Sequence, residues 1–350
     1  MALKRSKPKI AVIGAGSWGT AIAGSLSGQG HETLLWGHNA DYITELRTVR
    51  ENRKYLPGFL FNKNLKPTND IREVLKGTDI VCMVVPSHGF RGVFQDIVEY
   101  IEPHSHIISA VKGIEKGTLM TMSQIISEIL DREETERNLS LSVLSGPSFA
   151  REVADGLPTA VTIGSMSIDI ARELQKIFST DMLRVYTSTD IIGIEICAAM
   201  KNIVAIAAGI SDGIGFGLNA RAAIITRGLA EITRLGMKMG AEKDTFSGLS
   251  GIGDLILTCT GDLSRNRNVG IKLGKGLKLE DILKDMRMVA EGVKTTESGY
   301  YLAKKTMWKC RSLNRFMKYS MKKRIVQLLY VTFSTGNSRM NDLFYADQSF

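Results

Sequence analysis

The stretch Gly14-Ala15-Gly16-Ser17-Trp18-Gly19, directly after the apolar run Ile10-Ala11-Val12-Ile13, decides the fold. At this spacing the first glycine permits a tight turn, the second lets backbone N–H groups approach a pyrophosphate, and the third lets a helix lie close to the strand. The segment after Gly19 has a helical pattern, and residues 32–36 have the composition of a second strand. This context favours a dinucleotide site at the helix N-terminus over an ordinary glycine-rich turn.

The first 190 residues alternate short strand-like runs with helical patterns, as a parallel sheet with crossover helices requires. We predict an α/β fold with a Rossmann-type doubly wound sheet. Its strands are expected at residues 9–13, 32–36, 80–85, 106–110, 141–144, 160–163 and 183–186.

Near Asp190 the pattern changes to long helical stretches, which predict an all-helical substrate domain. A very apolar helix is expected over 191–208, a break over 209–217 and a second helix over 219–239. We therefore divide the chain into a dinucleotide-binding domain, a helical substrate domain and an atypical basic tail, at residues 1–190, 191–306 and 307–350.

The composition is that of a soluble globular protein with room for two cores, since 44% of the 350 residues are hydrophobic and 23% are charged. The four cysteines stand far apart without a C-x-x-C pair, and no signal-peptide pattern precedes the first strand. We expect a cytoplasmic protein without a metal site. Glu195 and Lys201 interrupt the apolar segment 191–208, so no integral membrane segment is expected.

The formal net charge of +9 is concentrated at one end of the chain. Residues 304–350 contain ten Lys or Arg and two Asp, whereas the first 303 residues contain 35 basic and 34 acidic side chains. The body of the protein is therefore nearly neutral. Its composition does not predict a nucleic-acid partner.

Lys201 lies in the apolar run 196–205 and has no acidic residue three or four positions away. Desolvation disfavours the charged form of a lysine, which makes the group usable as a general acid or base near neutral pH. For an arbitrary helix, a lysine that reaches the surface or pairs with a distant carboxylate is the commoner case. The residue alone leaves both interpretations open.

Three other stretches contain groups that could bind or convert an anionic ligand. Gly251-Ile252-Gly253-Asp254-Leu255 offers a turn and a carboxylate, and Ser264-Arg265-Asn266-Arg267 offers donors that suit a phosphate. Read alone, the second stretch is more often a solvated loop. Lys112-Gly113 and Ser145-Gly146-Pro147-Ser148 follow predicted strands on their carboxyl side, where ligands bind in such sheets.

Taken together and in this order, these stretches resemble the NAD(P)-dependent glycerol-3-phosphate dehydrogenases of the bacterial biosynthetic type, over roughly residues 9–303. The resemblance rests on many spaced motifs, namely Gly14 to Ala21, Tyr55-Leu56-Pro57-Gly58, Val84-Val85-Pro86-Ser87, Lys112-Gly113, Ser145 to Ala150, Met200-Lys201-Asn202, Gly251 to Leu255, Ser264-Arg265-Asn266 and Glu291-Gly292.

The resemblance implies reversible hydride transfer between NAD(P)H and dihydroxyacetone phosphate, giving sn-glycerol 3-phosphate for phospholipid synthesis, in a homodimer. It makes Lys201 the proton donor in reduction, Asp254 the group that holds Lys201, and Lys112 the group that polarises the substrate oxygen. The substrate-binding residues it implies are Lys112, Gly146, Ser148, Lys201, Asp254, Thr258, Ser264, Arg265 and Asn266. A hydride that arrives at a carbonyl carbon creates an alkoxide, which needs a positioned proton and positive charge.

The cofactor-binding residues implied are Gly14, Gly16, Ser17, Trp18, Gly19, His38, Lys112, Ala150, Arg265, Val289 and Glu291. NAD-selective sites usually place Asp or Glu at the end of the second strand, on the ribose 2′-hydroxyl. Trp36-Gly37-His38-Asn39 has no carboxylate. We therefore predict the use of both NADP(H) and NAD(H), with a preference for NADPH. The strength of this preference is left open, because His38 is mostly neutral near pH 7.

The family pattern ends after Lys305, where the basic tail begins. Permissible codons for residues 307–326, read in a shifted frame, encode a sequence beginning Val-Glu-Met-Pro-Ile that resembles the family's C-terminal helix. We predict a frameshifted replacement; the alternative is a genuine basic arm for anionic polymers. For the whole chain, the alternative function is a catalytically impaired NAD(P)H-binding sensor, which would need no proton donor.

Overall fold

The computed structural model describes residues 7–132, 137–286 and 290–306. The strands within these ranges are β1 (Ile10–Ile13), β2 (Thr33–Trp36), β3 (Glu51–Asn52), β4 (Leu56–Leu60), β5 (Leu65–Thr68), β6 (Ile80–Met83), β7 (His106–Ser109), β8 (Ser140–Ser145), β9 (Thr159–Ser165) and β10 (Leu183–Ser188). Eight of them form one sheet in the order β10-β9-β8-β7-β6-β1-β2-β5, and β3 and β4 form a separate hairpin.

Short helices cover both faces of the sheet, and the later helices form a body of their own. The helices are α1 (Ser17–Gly28), α2 (Ala40–Val49), α3 (Ile71–Leu75), α4 (Phe90–Ile97), α5 (Met122–Arg132), α6 (Ala150–Ala154), α7 (Ile168–Phe178), α8 (Ile191–Ile214), α9 (Gly217–Lys238), α10 (Asp254–Thr260), α11 (Arg265–Gly274), α12 (Leu279–Lys284) and α13 (Glu291–Lys305). This arrangement is the predicted Rossmann-type sheet followed by helices.

The core lies on both faces of the sheet because successive side chains of a strand point to opposite sides. In β1, Ile10 and Val12 pack into the cluster that contains Leu26 of α1. Ala11 and Ile13 pack into the opposite cluster, with Phe94 of α4. Both faces of β1 are therefore covered, as its continuous apolar run predicts.

The sheet differs from the expected all-parallel arrangement at one pairing. β9 runs antiparallel to β8, whereas the other neighbours in the sheet are parallel. The connection from Ser145 to Thr159 contains the short helix α6 and stays at the end of the sheet where β8 finishes, so the chain returns in the opposite direction. The sequence analysis also missed β5, because Pro67 is typical of a loop. Proline is tolerated in β5 because this strand lies at the edge of the sheet.

The predicted break over 209–217 is wrong in its first part, since α8 continues to Ile214. Gly209 and Gly213 are helical, and α11 packs directly against them with no room for a side chain at either position. A Cβ atom at Gly209 would lie 2.1 Å from the carbonyl oxygen of Arg267, and one at Gly213 would lie 2.3 Å from that of Ile271. The helix ends at Gly215, whose φ of 89° is the left-handed conformation common at helix C-termini.

Helix α8 is also the element that a membrane span could be confused with. Among the described residues it is the one helix long and apolar enough to cross a bilayer, with a mean hydropathy of 1.8 in its most apolar stretch. That stretch is 89% buried inside the protein. Its neighbours α9, α10, α11 and α13 cover it, so α8 is the core helix of the helical body.

Candidate active site

In the turn between β1 and α1, each of the three glycines is needed for a different structural reason. Gly14 has φ +126°, and a Cβ atom on it would lie 2.6 Å from the carbonyl oxygen of Val84. A Cβ atom on Gly19 would lie 1.9 Å from the carbonyl oxygen of Gly14, which shows how closely α1 approaches the turn. Gly16 instead faces open space, and no side chain caps the N-terminus of α1 there. The turn therefore leaves room and backbone donors for a pyrophosphate.

The turn is held from outside by Asn52 of β3, which sequence reasoning did not identify. The buried Nδ2 atom of Asn52 donates to the carbonyl oxygen of Ala15 at 3.1 Å and to Oγ1 of Thr20 at 2.7 Å. Its Oδ1 accepts a hydrogen bond from the hydroxyl of Tyr42 at 2.6 Å. The Oγ of Ser17 donates to the carbonyl oxygen of Tyr55 at 2.7 Å. The hairpin β3–β4 thus fixes the predicted cofactor turn from a distance in sequence that no local pattern reveals.

Two lysines share one buried carboxylate where the sheet meets the helical body. Nζ of Lys201 donates to Oδ1 of Asp254 at 2.6 Å and to Oγ1 of Thr258 at 2.7 Å. Nζ of Lys112 donates to Oδ2 of Asp254 at 2.8 Å and to the carbonyl oxygen of Gly146 at 3.2 Å. Lys112 and Gly146 follow β7 and β8, whereas Lys201 lies on α8 and Asp254 begins α10. The structure therefore brings together five of the predicted site residues.

This arrangement moves the protonation equilibria of both buried groups. Burial lowers the pKa of Lys201 to about 8, against the attraction of Asp254, and the charge of Lys112 adds to the lowering. Burial alone would raise the pKa of Asp254, but the ammonium groups of Lys112 and Lys201 hold it below its usual value. Asp254 is therefore a carboxylate near neutral pH, and Lys201 is able to give and take a proton there.

Gly146 and Ser148 form the wall of the site that follows β8. Gly146 has φ +135°, and a Cβ atom on it would lie 2.9 Å from Cα of Val161. Ser148 Oγ donates to the carbonyl oxygen of Gly146 at 3.0 Å. Only glycine fits this position without moving β9.

The predicted phosphate residues at the start of α11 take three different positions. Ser264 is buried and caps the helix, accepting a hydrogen bond from the N–H of Arg267 at 3.2 Å. Arg265 has an exposed side chain and forms no hydrogen bond or ion pair with another residue in the described part of the chain. Asn266 is buried; its Nδ2 donates to Oδ1 of Asn202, and its Oδ1 accepts from the N–H of Gly292, each at 2.9 Å. The guanidinium of Arg265 is thus available to a ligand, whereas the amide of Asn266 already joins α8 to α13.

Glu291 links the helical body to the loop after β6. Its Oε2 accepts a hydrogen bond from Oγ of Ser87 at 2.5 Å, and its Oε1 accepts from the N–H of Ser87 at 3.3 Å. Gly113, next to Lys112, makes room for this contact, because a Cβ atom there would lie 2.5 Å from Cβ of Ser87. Sequence reasoning did not assign Ser87 a role, although the residue stands in a quoted motif.

The remaining predicted cofactor residues lie around the glycine turn or outside the described part. Trp18 packs against the apolar core below α1, and His38 is exposed just after β2. Ala150 begins α6, which packs against α1. Val289 lies outside the described residues.

Comparison with known proteins gives matches along nearly the whole described chain. The sequence profile described as NAD-dependent glycerol-3-phosphate dehydrogenase N-terminus matches residues 9–171, and the corresponding C-terminus profile matches residues 190–332. The NAD(P)+ glycerol-3-phosphate dehydrogenase of Desulfotalea psychrophila is 57% identical over 298 residues, which are 85% of this chain and 88% of the relative. That of Citrifermentans bemidjiense is 56% identical over 297 residues, with the same coverage. The crystal structure of glycerol-3-phosphate dehydrogenase from Coxiella burnetii superposes with a TM-score of 0.88 at 36% identity, covering 94% of this chain and 99% of that one.

Proposed function

The chain belongs to the NAD-dependent glycerol-3-phosphate dehydrogenase family, and from this premise we propose that it reduces dihydroxyacetone phosphate reversibly to sn-glycerol 3-phosphate with NAD(P)H, for glycerophospholipid synthesis. One observation carries the proposal: Lys201, Asp254 and Lys112 form a buried charge cluster between the sheet and the helical body. A sensor that only binds the cofactor has no need of this cluster.

The residues around the glycine turn fit a dinucleotide, since Gly16 leaves its face open and α1 begins there without a side-chain cap. When bound, NAD(P)H supplies the hydride that adds to the carbonyl carbon. Lys201 then protonates the developing alkoxide, and in the oxidation direction its neutral form takes that proton back. Asp254 keeps the two ammonium groups oriented, and Lys112 adds positive charge where the oxygen becomes negative.

The phosphate of the substrate is assigned to the exposed end of α11. Arg265 is the first residue of α11, which Ser264 caps, and its guanidinium feels the charge of Glu291 but forms no hydrogen bond or ion pair with a described residue. Both features favour a dianion, because the guanidinium donates bidentately and the helix end offers N–H groups. Binding this remote group orients the carbonyl for the transfer. Gly146, Ser148 and Thr258 are proposed to complete the substrate pocket. Asn266 is proposed to stabilise the side of the pocket where it joins α8 to α13.

The decisive experiment compares the wild-type chain with Lys201→Met in an assay of NADPH oxidation by dihydroxyacetone phosphate. Methionine keeps a similar length and apolar character in the run 196–205 but has no proton to give. We expect the rate to fall by at least about a hundredfold while NADPH still binds, as measured by its fluorescence. Cofactor binding without turnover in the wild-type protein would instead support the impaired sensor.

We further propose a homodimer in the cytoplasm, built from a dinucleotide-binding domain (residues 1–190) and a helical substrate domain (residues 191–306). The changes in element type after Ser188 and at Ile191 support this division. Light scattering after size-exclusion chromatography measures the oligomeric state directly. A single species at the mass of one 38.5 kDa chain would contradict the dimer.

A further inference from the structure

Dinucleotide sites distinguish NADPH from NADH at the end of β2. In this protein that position has neither of the side chains that usually make the distinction. A carboxylate at this point binds the ribose 2′-hydroxyl of NAD, and an arginine nearby accommodates the 2′-phosphate of NADP. The residues that follow Trp36 are Gly37, His38 and Asn39. His38 and Asn39 are exposed, and neither is a carboxylate, a lysine or an arginine. A lysine or arginine for a 2′-phosphate would therefore come from elsewhere in the fold.

The end of β2 touches the glycine turn, which fixes where the adenosine half of a cofactor would lie. A Cβ atom on Gly37 would lie 3.2 Å from Cβ of Ala15. The hydroxyl oxygen of Tyr42, on the helix that follows, also lies 3.0 Å from the carbonyl oxygen of Ala15. Tyr55 adjoins the same turn, because its carbonyl oxygen accepts the hydrogen bond from Ser17. The rings of Tyr42 and Tyr55 stand edge to face, with their centres 5.6 Å apart.

Lys54 supplies a positive charge at this corner. Its Nζ lies 5.1 Å from the ring centre of Tyr55 and 5.6 Å from that of Tyr42. Contacts of this length with aromatic faces attract an ammonium group and limit its motion. Lys54 is exposed and forms no ion pair with another residue within the described ranges, whereas its neighbour Arg53 pairs with Glu51. Its charge is therefore available to an anion.

We propose that Lys54 determines cofactor preference by binding the 2′-phosphate of NADPH, in place of an arginine at the end of β2. The two tyrosine rings hold the ammonium group beside the turn before the cofactor arrives, so little side-chain freedom is lost on binding. NADH carries a hydroxyl group at the same position and gains nothing from the charge. This inference rests on the proposed function, since it concerns the cofactor of that reaction.

The test measures dissociation constants for NADPH and NADH by fluorescence titration in Lys54→Met, Lys54→Arg and the wild-type protein. Methionine preserves an apolar stem against the rings and removes the charge, whereas arginine retains the charge. Lys63→Met is the matched control, because Lys63 is an exposed lysine on the loop between β4 and β5. Adenosine 2′,5′-bisphosphate and 5′-AMP, used as inhibitors, isolate the contribution of the 2′-phosphate.

We expect Lys54→Met to weaken NADPH and adenosine 2′,5′-bisphosphate about five- to tenfold, as for loss of one charge-assisted contact, and to change NADH and 5′-AMP less than about twofold. The dissociation constants of Lys54→Arg and Lys63→Met should stay close to those of the wild type. The weakening of NADPH by Lys54→Met should be smaller in 0.5 M salt, where the Debye length is about 4 Å. Equal weakening of both dinucleotides, or no weakening of NADPH, would overturn the proposal. Failure of the wild-type protein to bind either dinucleotide would overturn the proposed function together with it.

Discussion

The burial of Lys201 gives the site a pH dependence with a defined direction. In the proposed mechanism reduction needs Lys201 protonated, and burial is the chief cause that lowers its pKa to about 8. The rate of dihydroxyacetone phosphate reduction should therefore fall as the pH rises through about 8, and the rate of glycerol 3-phosphate oxidation should rise through the same range. Profiles of kcat/KM against pH in both directions test this. Parallel profiles in the two directions would contradict the assignment.

Asp254→Asn is expected to displace that profile toward lower pH. The amide keeps the shape of the side chain but removes the negative charge that favours protonated Lys201, whereas burial and the charge of Lys112 persist. We expect at least about a tenfold loss of kcat at neutral pH together with the acid shift, measured as above. A loss of rate without a shift would mean that Asp254 acts on geometry alone.

The residues themselves could not predict this pairing. Lys201 and Asp254 stand 53 residues apart, and the helix around Lys201 offers no local partner. The sequence therefore predicts the desolvation of Lys201 but not that Asp254 is its partner. The resemblance to a family supplied the partner. It did not point to Asn52, and it gave no role to Asn202 or Ser87, although both stand in its motifs. The contacts of these three residues reach across the fold and depend on tertiary packing rather than on periodicity.

At the scale of elements, the interface between α8 and α11 depends on glycines that a sequence pattern presents as helix breakers. Gly209→Ala should lower the free energy of unfolding by about 1–3 kcal/mol, because its Cβ would overlap the carbonyl oxygen of Arg267. The matched control is Gly28→Ala in α1, where nothing lies within 4 Å and alanine should be neutral or stabilising. Urea denaturation measures both. Equal effects of the two substitutions would show that α11 can move aside.

The contact between Ser87 and Glu291 joins α13 to the loop after β6, and we expect it to position the carboxylate for the cofactor. Ser87→Ala should weaken NADPH and NADH alike, by about three- to tenfold, through loss of one hydrogen bond to a charged group. In a Glu291→Ala background the same substitution should have no further effect. Ser142→Ala is a suitable control, because the buried Oγ of Ser142 has no partner in the described part of the protein. An effect that persists without Glu291 would contradict the positioning role.

For the whole molecule, the order of the elements was more predictable than their directions. Apolar runs located seven strands of the sheet and the start of α8. The reversal of β9 was not readable, since it depends on where the connection after β8 lies in space rather than on the residues of either strand. The basic tail, residues 307–350, lies outside the described residues. The match to the C-terminus profile extends to residue 332, beyond the predicted end of the family pattern at Lys305.

We propose that this tail is encoded in a shifted reading frame, and the coding DNA tests the idea. We expect the alternative frame to encode Val-Glu-Met-Pro-Ile and a helical continuation from residue 307 onward. A chain carrying that continuation should unfold at a higher temperature, because a packed terminal helix adds stability. Absence of this reading in the gene would leave the genuine basic arm as the explanation.

The distribution of the charge cluster over the chain constrains how such proteins can be recombined. Lys112 comes from the segment that follows β7, whereas Lys201 and Asp254 come from the helical body. A chimera that joins the first half of one relative to the second half of another inherits the three charged groups from two parents. Its activity depends on whether the mismatched surfaces seat the carboxylate within hydrogen-bond reach of both ammonium groups. The activity of such a chimera therefore depends on how accurately its two halves pack together. Turnover measured across a library of these chimeras would report that accuracy.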